Sequence, residues 1–217
     1  MSIRSRPTLL LDLDGVLVDP ARGIIGCYRH ALAAFDVTPA ESDDLRWVIG
    51  PPIRQSFGRF LNAPDAVETA VRLYRERYAE WGLQQATAYP GVFDALAAQR
   101  ARGARLILCT AKFHGFARRV VEAFGYAPLL SGVYGAELDG RFEDKGELIA
   151  HLLAAEGLHP DDVCMIGDRK HDVIAATANG VPAIGVLWGF GDREELESAG
   201  AALLAERPAD LLPPGAA

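Results

Sequence analysis

A run of aliphatic residues that ends in two closely spaced acids constrains this chain more than any other feature. Leu9, Leu10 and Leu11 have the pattern of a buried strand, and Asp12 and Asp14 follow directly. Residues two apart in a strand point to the same side, so both carboxylates would share one small volume. Unpaired there, they would repel each other and lose hydration, which is costly or raises their pKa values. A divalent cation and a reaction that uses two acids would offset that cost, whereas an ordinary acidic turn is the simpler alternative.

The composition indicates a soluble globular protein of one large domain, or of one domain with a sizeable insertion. Of the 217 residues, 50% are hydrophobic and 24% are charged, which suits a chain with a substantial core. The net charge of −7 disfavours electrostatic binding to nucleic acid or to a membrane surface. The three cysteines show no C-x-x-C spacing, which is typical of a reducing compartment. The first apolar run breaks at Asp12 and is too short for a signal peptide or membrane span, so we expect a cytoplasmic protein.

Short apolar segments alternate with helical patterns, which predicts an α/β fold. Strand-like segments rich in Leu, Ile and Val cover residues 8–13, 105–109, 162–166 and 183–187. Helical patterns cover residues 92–101, 116–124, 146–156 and 173–179, and a glycine follows each of them. This alternation implies a mainly parallel sheet with helices on both faces.

Residues 20–88 break that rhythm and predict a helical insertion directly after the first strand. Apolar residues recur there at helical spacing, first from Ile24 to Phe35 and again from Val67 to Trp81. We expect residues 1–19 and 89–217 to form the core, and residues 20–88 to form a helical cap that acts as a lid beside the two acids.

Chemically useful residues follow the ends of several predicted strands. Ligand sites in open parallel sheets lie beyond the carboxyl ends of the strands. Asp12 and Asp14 follow the first predicted strand in this way. Four further residues follow later strands, namely Thr110, Lys112, Asp168 and Asp172. Lys145 lies at the start of the helical pattern at residues 146–156, and the strand that leads to Asp168 follows that helix. Each residue alone has a structural explanation, such as a helix cap or a solvated charge. Their shared location at one edge of one sheet favours a catalytic site.

Together these positions resemble the four-motif signature of the haloacid dehalogenase-like phosphohydrolases. The residues that carry the resemblance are Asp12-x-Asp14-Gly15-x-Leu17-x-Asp19, Thr110, Lys145 and Gly167-Asp168-x-x-x-Asp172. The helical insertion after the first motif, with Gly50-Pro51-Pro52 inside it, is similar to the small α-helical cap of the phosphoglycolate phosphatase-like branch. The resemblance implies a Rossmann-like parallel sheet core with an inserted cap, and a Mg²⁺-dependent phosphatase.

The resemblance assigns catalytic roles to four residues. It implies that Asp12 is the nucleophile and forms an aspartyl-phosphate, which divides hydrolysis into two easier transfers. Asp14 would protonate the leaving alkoxide and then activate water. Thr110 and Lys145 would bind the phosphoryl oxygens, and Lys145 would also reduce repulsion among the acids.

The same resemblance suggests a substrate-binding set. Ala111 and Lys112 follow Thr110 and are expected beside the phosphoryl group. From the cap, Arg22 and Arg54 are candidates for substrate contact, because the inner edge of the cap should face the pocket. Other arginines of the cap, namely Arg72, Arg75 and Arg77, are expected on a solvated helix face.

Mg²⁺ is the expected cofactor, with four acids as candidate ligands. Mg²⁺ prefers oxygen ligands in an octahedral shell and retains several waters. Asp12, the backbone carbonyl of Asp14, and Asp168 would supply the protein ligands. Asp172 is a further candidate, which either contacts the metal or holds a metal-bound water or Lys145.

Particular residues disfavour rival functions. Dehalogenases that attack carbon lack an acid–base aspartate at the position of Asp14. Phosphonate hydrolysis would need a lysine in the cap, and no lysine occurs from Ala21 to Ala111. Sugar-phosphate mutases of this branch usually carry adjacent acids in the fourth motif, where Gly167-Asp168 supplies one. A non-catalytic, phospho-accepting receiver domain would be shorter and would lack the helical insertion.

We therefore expect an enzyme whose partner is a small phosphorylated metabolite. Phosphoglycolate is the leading substrate by resemblance, and a nucleoside 5′-monophosphate comes next. No nucleic-acid or membrane partner is expected, and the protein is expected to be a monomer or a homodimer.

Overall fold

The structure, a computed structural model, describes residues 6–212. Its strands are β1 (Thr8–Leu11), β2 (Val18–Asp19), β3 (Thr87–Ala88), β4 (Arg105–Phe113), β5 (Gly132–Ala136), β6 (Val163–Gly167), β7 (Ala183–Val186) and β8 (Leu203–Ala205). Its α-helices are α1 (Ala21–Ala33), α2 (Ile53–Phe57), α3 (Pro64–Glu80), α4 (Val92–Ala101), α5 (His114–Ala123), α6 (Lys145–Glu156), α7 (Lys170–Ala178) and α8 (Arg193–Ser198). Among the described residues, four short 3₁₀ helices lie between these elements and a fifth follows β8, at Arg46–Val48, Gly82–Gln85, Ala127–Leu129, Pro160–Asp162 and Pro208–Leu211.

Six strands form one parallel sheet in the order β5-β4-β1-β6-β7-β8. The strand β1 is central, and its Leu11 pairs in register with Leu108 of β4 and Ile166 of β6. The carboxyl ends of these three strands therefore meet at one edge, on either side of the point where the strand order reverses. The predicted α/β fold is confirmed.

Alternate residues of β1 pack against different helices on the two faces of the sheet. Leu9 and Leu11 belong to a core that includes Val92 of α4 and Val120 of α5. Leu10 belongs to a second core, with Ile149 of α6 and Val173 of α7 among its members. Because all three leucines are buried, β1 is a continuous apolar run rather than an alternating one.

The cap segment, residues 20–88, carries α1, α2 and α3 between two very short strands. Val18 pairs antiparallel with Ala88, and Asp19 with Thr87, so the chain enters and leaves the cap segment side by side. Strand β3 was not expected within residues 20–88. The division of the chain into a core and a cap domain remains a prediction.

Aromatic rings hold the cap segment together and join it to the core. The ring of Tyr28 in α1 lies 4.4 Å from that of Phe57 and 5.1 Å from that of Tyr74 in α3. Tyr78 of α3 lies 5.1 Å from Phe116 of α5, centroid to centroid. These aromatic residues of the cap segment therefore pack against one another and against the core.

The structure corrects several element boundaries. The first strand ends at Leu11 rather than at residue 13, because Gly15 adopts a φ of 86° and the Leu17 amide donates to the Leu13 carbonyl at 2.9 Å. Strand β4 continues past residue 109 to Phe113, so that Thr110 lies inside it. The helix predicted at 92–101 has those bounds, whereas α5, α6 and α7 each begin one to three residues before their predicted starts. Strands β5 and β8 and helix α8 were not predicted.

Cys27, Cys109 and Cys164 are buried free thiols. Among the helices of residues 6–212, none combines the length and the apolar character needed to cross a membrane.

Candidate active site

Residues from four separate elements meet at the carboxyl edge of the sheet. Asp12 follows β1, Thr110 lies in β4, Lys145 begins α6 and Asp168 follows β6. All four side chains are buried, with no more than 7% of the residue exposed. The structure thus brings together four positions that lie far apart in the sequence. Their roles in catalysis remain predictions.

Lys145 is held between two carboxylates. Its ammonium lies 3.0 Å from Asp12 Oδ1 and donates a hydrogen bond to Asp172 Oδ1. Burial alone would lower the pKa of Lys145, but the Asp12 and Asp172 carboxylates raise it above its usual value. The lysine is therefore a fixed positive charge beside Asp12.

Three buried carboxylates could share a cation. Asp12, Asp168 and Asp172, here called the acidic triad, each offer one oxygen within 4.8 Å of the others. Asp168 Oδ1 is buried and has no hydrogen-bond partner among residues 6–212, which is costly unless another group satisfies it. Burial, and then the neighbouring Asp172 and Asp12 carboxylates, raise the pKa of Asp168 well above its usual value. A divalent cation would relieve both the orphaned oxygen and the repulsion, so the acidic triad fits a metal ion that takes oxygen ligands.

The carboxylate of Asp168 is held by the loop after β7, and glycine residues allow the backbone to approach it closely. Its Oδ2 accepts a hydrogen bond from the Phe190 amide at 2.8 Å. A Cβ on Gly189 would lie 2.3 Å from the Asp168 Cβ, and one on Gly15 would lie 2.0 Å from Asp168 Oδ2. Only residues without a side chain fit at these two positions. One oxygen of Asp168 is thereby satisfied, which leaves the other for a ligand.

Asp14 pairs with Lys112 rather than lying beside Asp12 as a second free acid. The Lys112 ammonium lies 2.6 Å from Asp14 Oδ2 and 4.5 Å from the ring centroid of Tyr78 in the cap segment. Burial raises the pKa of Asp14, Lys112 opposes that rise, and Asp12 adds to it. The result is an acid whose protonated form is favoured more than in water. Asp14 Oδ1 is also buried, and no described residue forms a hydrogen bond with it.

A pocket lies between the sheet edge and the cap segment, and is here called the main pocket. Its core side includes Asp12, Asp14, Thr110, Ala111 and Lys112. Its cap side is largely apolar and aromatic, with Ile24, Tyr28, Val48, Ile49, Ile53 and Tyr74. A pocket that is polar on its core side and apolar on its cap side suits a small ligand whose reacting end is charged.

Two predicted substrate contacts lie elsewhere. Arg22 is exposed on the first turn of α1 and does not line the main pocket. Arg54 does not line it either, because its guanidinium is bound to Glu68 and Glu143. A substrate contact by either residue remains a prediction that the described geometry does not support.

Three residues that were not predicted as site residues, Arg75, Glu143 and Arg169, lie at the boundary between the cap segment and the core. Arg75, expected on a solvated face, lines the main pocket together with Glu143. Arg169 is buried, and its guanidinium donates to the Ile49 carbonyl of the cap segment and to Glu195 Oε1, the latter at 2.8 Å. The sequence signal for this contact is the glycine at position 50. Its φ of 106° and its lack of a side chain let Arg169 approach closely.

Two features define the class of protein: a parallel sheet of the α/β kind, and a buried acid paired with a lysine at its carboxyl edge, beside a helical segment. The family model described as "Haloacid dehalogenase-like hydrolase" matches residues 9–186, and the chain belongs to this family. The predicted family and the predicted enzyme class are thereby confirmed.

Relatives and a solved structure are similar over most of the chain. A 5′-nucleotidase of Pseudomonas aeruginosa is 40% identical over 193 residues, which cover 88% of this chain and 87% of the relative. A phosphoglycolate phosphatase of Caulobacter vibrioides is 32% identical, with 91% of this chain and 85% of the relative covered. The crystal structure of a predicted phosphatase from Clostridium acetobutylicum superposes with a TM-score of 0.92, at 32% identity and with 95% and 96% of the chains covered.

One relative carries a different name. The tyrosine-protein kinase PtkA of Mycobacterium tuberculosis is 35% identical over 183 residues, which cover 84% of this chain. This chain spans 62% of that protein, so the match concerns part of it.

Proposed function

We propose that this hydrolase is a Mg²⁺-dependent phosphatase that cleaves a small phosphomonoester through an aspartyl-phosphate intermediate. The observation that carries the proposal is the position of Asp12, which lines the main pocket while its Oδ1 lies 3.0 Å from the Lys145 ammonium. Phosphoryl transfer depends on positioning and on compensation of charge, and this site is suited to both.

In the first half of the reaction, a carboxylate oxygen of Asp12 attacks phosphorus, and the bond from phosphorus to the leaving oxygen breaks. Asp14 gives its proton to that oxygen, a step for which its raised pKa is favourable. Acid help of this kind contributes about 10²–10⁴ in rate. In the second half, Asp14 takes a proton from a water that attacks the aspartyl-phosphate, which releases inorganic phosphate and restores Asp12.

The remaining residues of the site bind and orient the phosphoryl group. The Thr110 hydroxyl and the Lys145 ammonium would donate to its oxygens, with Ala111 and Lys112 beside it. The acidic triad and the backbone carbonyl of Asp14 would hold Mg²⁺, which when bound supplies further charge compensation for the transferring group.

Phosphoglycolate is the leading substrate and a nucleoside 5′-monophosphate is the alternative. The relative named phosphoglycolate phosphatase supports the first, and the relative named 5′-nucleotidase supports the second. The proposal includes no Schiff-base chemistry at the cap, because residues 21–111 contain no lysine.

Phosphate release from a panel of phosphomonoesters tests the proposal. The panel contains phosphoglycolate, several nucleoside 5′-monophosphates and p-nitrophenyl phosphate, each measured as kcat/KM with Mg²⁺ and with excess EDTA. We expect multiple turnovers that require Mg²⁺ and disappear in Asp12→Asn. A single stable phosphorylation without turnover would instead indicate a phospho-accepting protein, and no reaction with any ester would contradict the proposal.

A further inference from the structure

Arg75 is a cation in the main pocket for which the proposed reaction has no use. It lies in α3 of the cap segment, and 17% of its side chain is exposed. Among the described residues that line the pocket, Lys112 is the other cation, and Asp14 already binds it. Arg75 therefore supplies the positive charge on the cap side of the pocket.

Its hydrogen-bonding capacity is only partly used. A guanidinium carries five N–H donors. Arg75 Nη1 donates to the Leu138 carbonyl at 3.1 Å, while its Nη2 lies 3.6 Å from Glu143 Oε1, which is longer than a hydrogen bond. That oxygen accepts a hydrogen bond from Arg54 instead. The loose ion pair between Arg75 and Glu143 can therefore be exchanged for one with a ligand.

The pocket walls around Arg75 make it suited to an anion. The guanidinium carbon of Arg75 lies over the ring of Phe113, 5.9 Å from its centroid. Phe116 and Ile53 also line the pocket. Apolar walls exclude water and strengthen a charge pair, whereas a carboxylate buried there without a partner would be strongly disfavoured. A planar guanidinium matches the two oxygens of a carboxylate.

We infer that Arg75 binds a carboxylate carried by the leaving group of the substrate, and so selects small phosphomonoesters of hydroxy acids. The inference rests on the proposed function, because it takes the phosphoryl end to lie on the core side, at Asp12 and Thr110. The carboxylate end then points toward α3, where Arg75 replaces the loose contact with Glu143 by a bidentate contact with substrate.

Three substrates of similar size and different charge test the inference. Phosphoglycolate carries a carboxylate, ethyl phosphate carries no group at that position, and phosphoethanolamine carries an ammonium. Each is measured as kcat/KM with the wild-type protein, Arg75→Ala and Arg75→Lys. Arg72→Ala is the matched control, because Arg72 lies on the exposed face of the same helix and pairs with Glu76.

The wild-type protein is expected to prefer phosphoglycolate, and Arg75→Ala to lower kcat/KM for it by about 10- to 100-fold. The same variant should change kcat/KM for ethyl phosphate less than about threefold, since that substrate makes no contact with the guanidinium. Arg75→Lys should retain part of the preference and Arg72→Ala all of it.

An equal loss with phosphoglycolate and ethyl phosphate would overturn the inference, because Arg75 would then only hold the Leu138 carbonyl and Glu143 in place. An unchanged preference in Arg75→Ala would overturn it as well. In both cases turnover of p-nitrophenyl phosphate by the wild-type protein would leave the proposed phosphatase function standing. Absence of turnover with every ester would contradict that function and the inference together.

Discussion

Lys145 and Asp12 form a buried ion pair, with the ammonium 3.0 Å from Asp12 Oδ1, and the same ammonium donates to Asp172. One cation thus compensates two of the three carboxylates of the acidic triad. Without it, and without a metal, the triad would be a cluster of unpaired buried charges.

Replacement of Lys145 by methionine should therefore destabilise the protein as well as inactivate it. We expect Lys145→Met to lower the free energy of unfolding by about 3 kcal/mol, as measured by urea denaturation in EDTA. Saturating Mg²⁺ should recover part of that loss, because the cation compensates the same carboxylates. Lys170→Met, at an exposed position of α7, is the control and should change stability by less than about 0.5 kcal/mol. Equal stability of the two variants would contradict a compensating role for Lys145.

The Asp14–Lys112 pair predicts a specific change in the pH profile. Asp14 must be protonated to act as an acid, so kcat/KM for an alkyl phosphate should fall as the pH rises through its pKa. Because Lys112 lowers the pKa of Asp14, Lys112→Met should move this alkaline limb to higher pH. Profiles of kcat/KM, each normalised to its own maximum, measure the shift, and Lys170→Met should show none. If the alkaline limb of the pH profile has the same midpoint in Lys112→Met as in the wild-type protein, Asp14 is not the acid.

The orphaned oxygen of Asp168 predicts a metal requirement that depends on that residue. Asp168→Asn should weaken Mg²⁺ binding at least about tenfold, because an amide is a poorer ligand than a carboxylate and carries no charge. Isothermal titration calorimetry with Mg²⁺ alone measures the affinity independently of turnover. Asp161→Asn is the control, since that carboxylate is exposed and lies outside the acidic triad. Wild-type affinity in Asp168→Asn would place the cation elsewhere.

The contact between Gly15 and Asp168 can be separated from the effect of backbone strain. Gly15 and Gly103 have similar φ values, 86° and 89°, but a Cβ on Gly103 would meet no atom of the described residues within 4 Å. Gly103→Ala should cost about 1 kcal/mol from strain, and should leave kcat/KM unchanged. Gly15→Ala should cost more and should lower kcat/KM sharply, because its Cβ would displace the Asp168 carboxylate. Thermal melts and p-nitrophenyl phosphate assays compare the two, and similar activities would show that the close approach is unimportant.

The sequence predicts the buried centre of the fold better than its edges. Strands β1, β4, β6 and β7 lie next to one another inside the sheet and are apolar enough to be recognised. The missed strands β5 and β8 lie at the two edges; β5 contains two glycines, and β8 has three residues. Edge strands bury less surface, so their sequences carry less of the apolar signal.

The candidate site shows the same division between local and long-range information. The motif positions could be predicted because each follows a strand or begins a helix, and the topology of parallel sheets gathers such positions. The pairing of Lys112 with Asp14 could not be predicted from the sequence, because it depends on how Tyr78 of the cap segment packs above these residues.

Arg75 could have been recognised from helical spacing. It falls on the stripe of buried residues Val71, Tyr74 and Tyr78, whereas Arg72 does not. The expectation that Arg75 lies on a solvated face is wrong, because its position on the helix, rather than its charge, decides its exposure.

Detection of the covalent intermediate tests most directly whether Asp12 attacks phosphorus. The protein is mixed with p-nitrophenyl phosphate and Mg²⁺, quenched in acid within milliseconds, and its peptides are analysed by mass spectrometry. We expect a phosphoryl group on the peptide that contains Asp12, a larger amount of it in Asp14→Asn, and none in a folded Asp12→Asn variant without turnover. Wild-type turnover by Asp12→Asn, or a phosphoryl group on a different residue, would contradict the account.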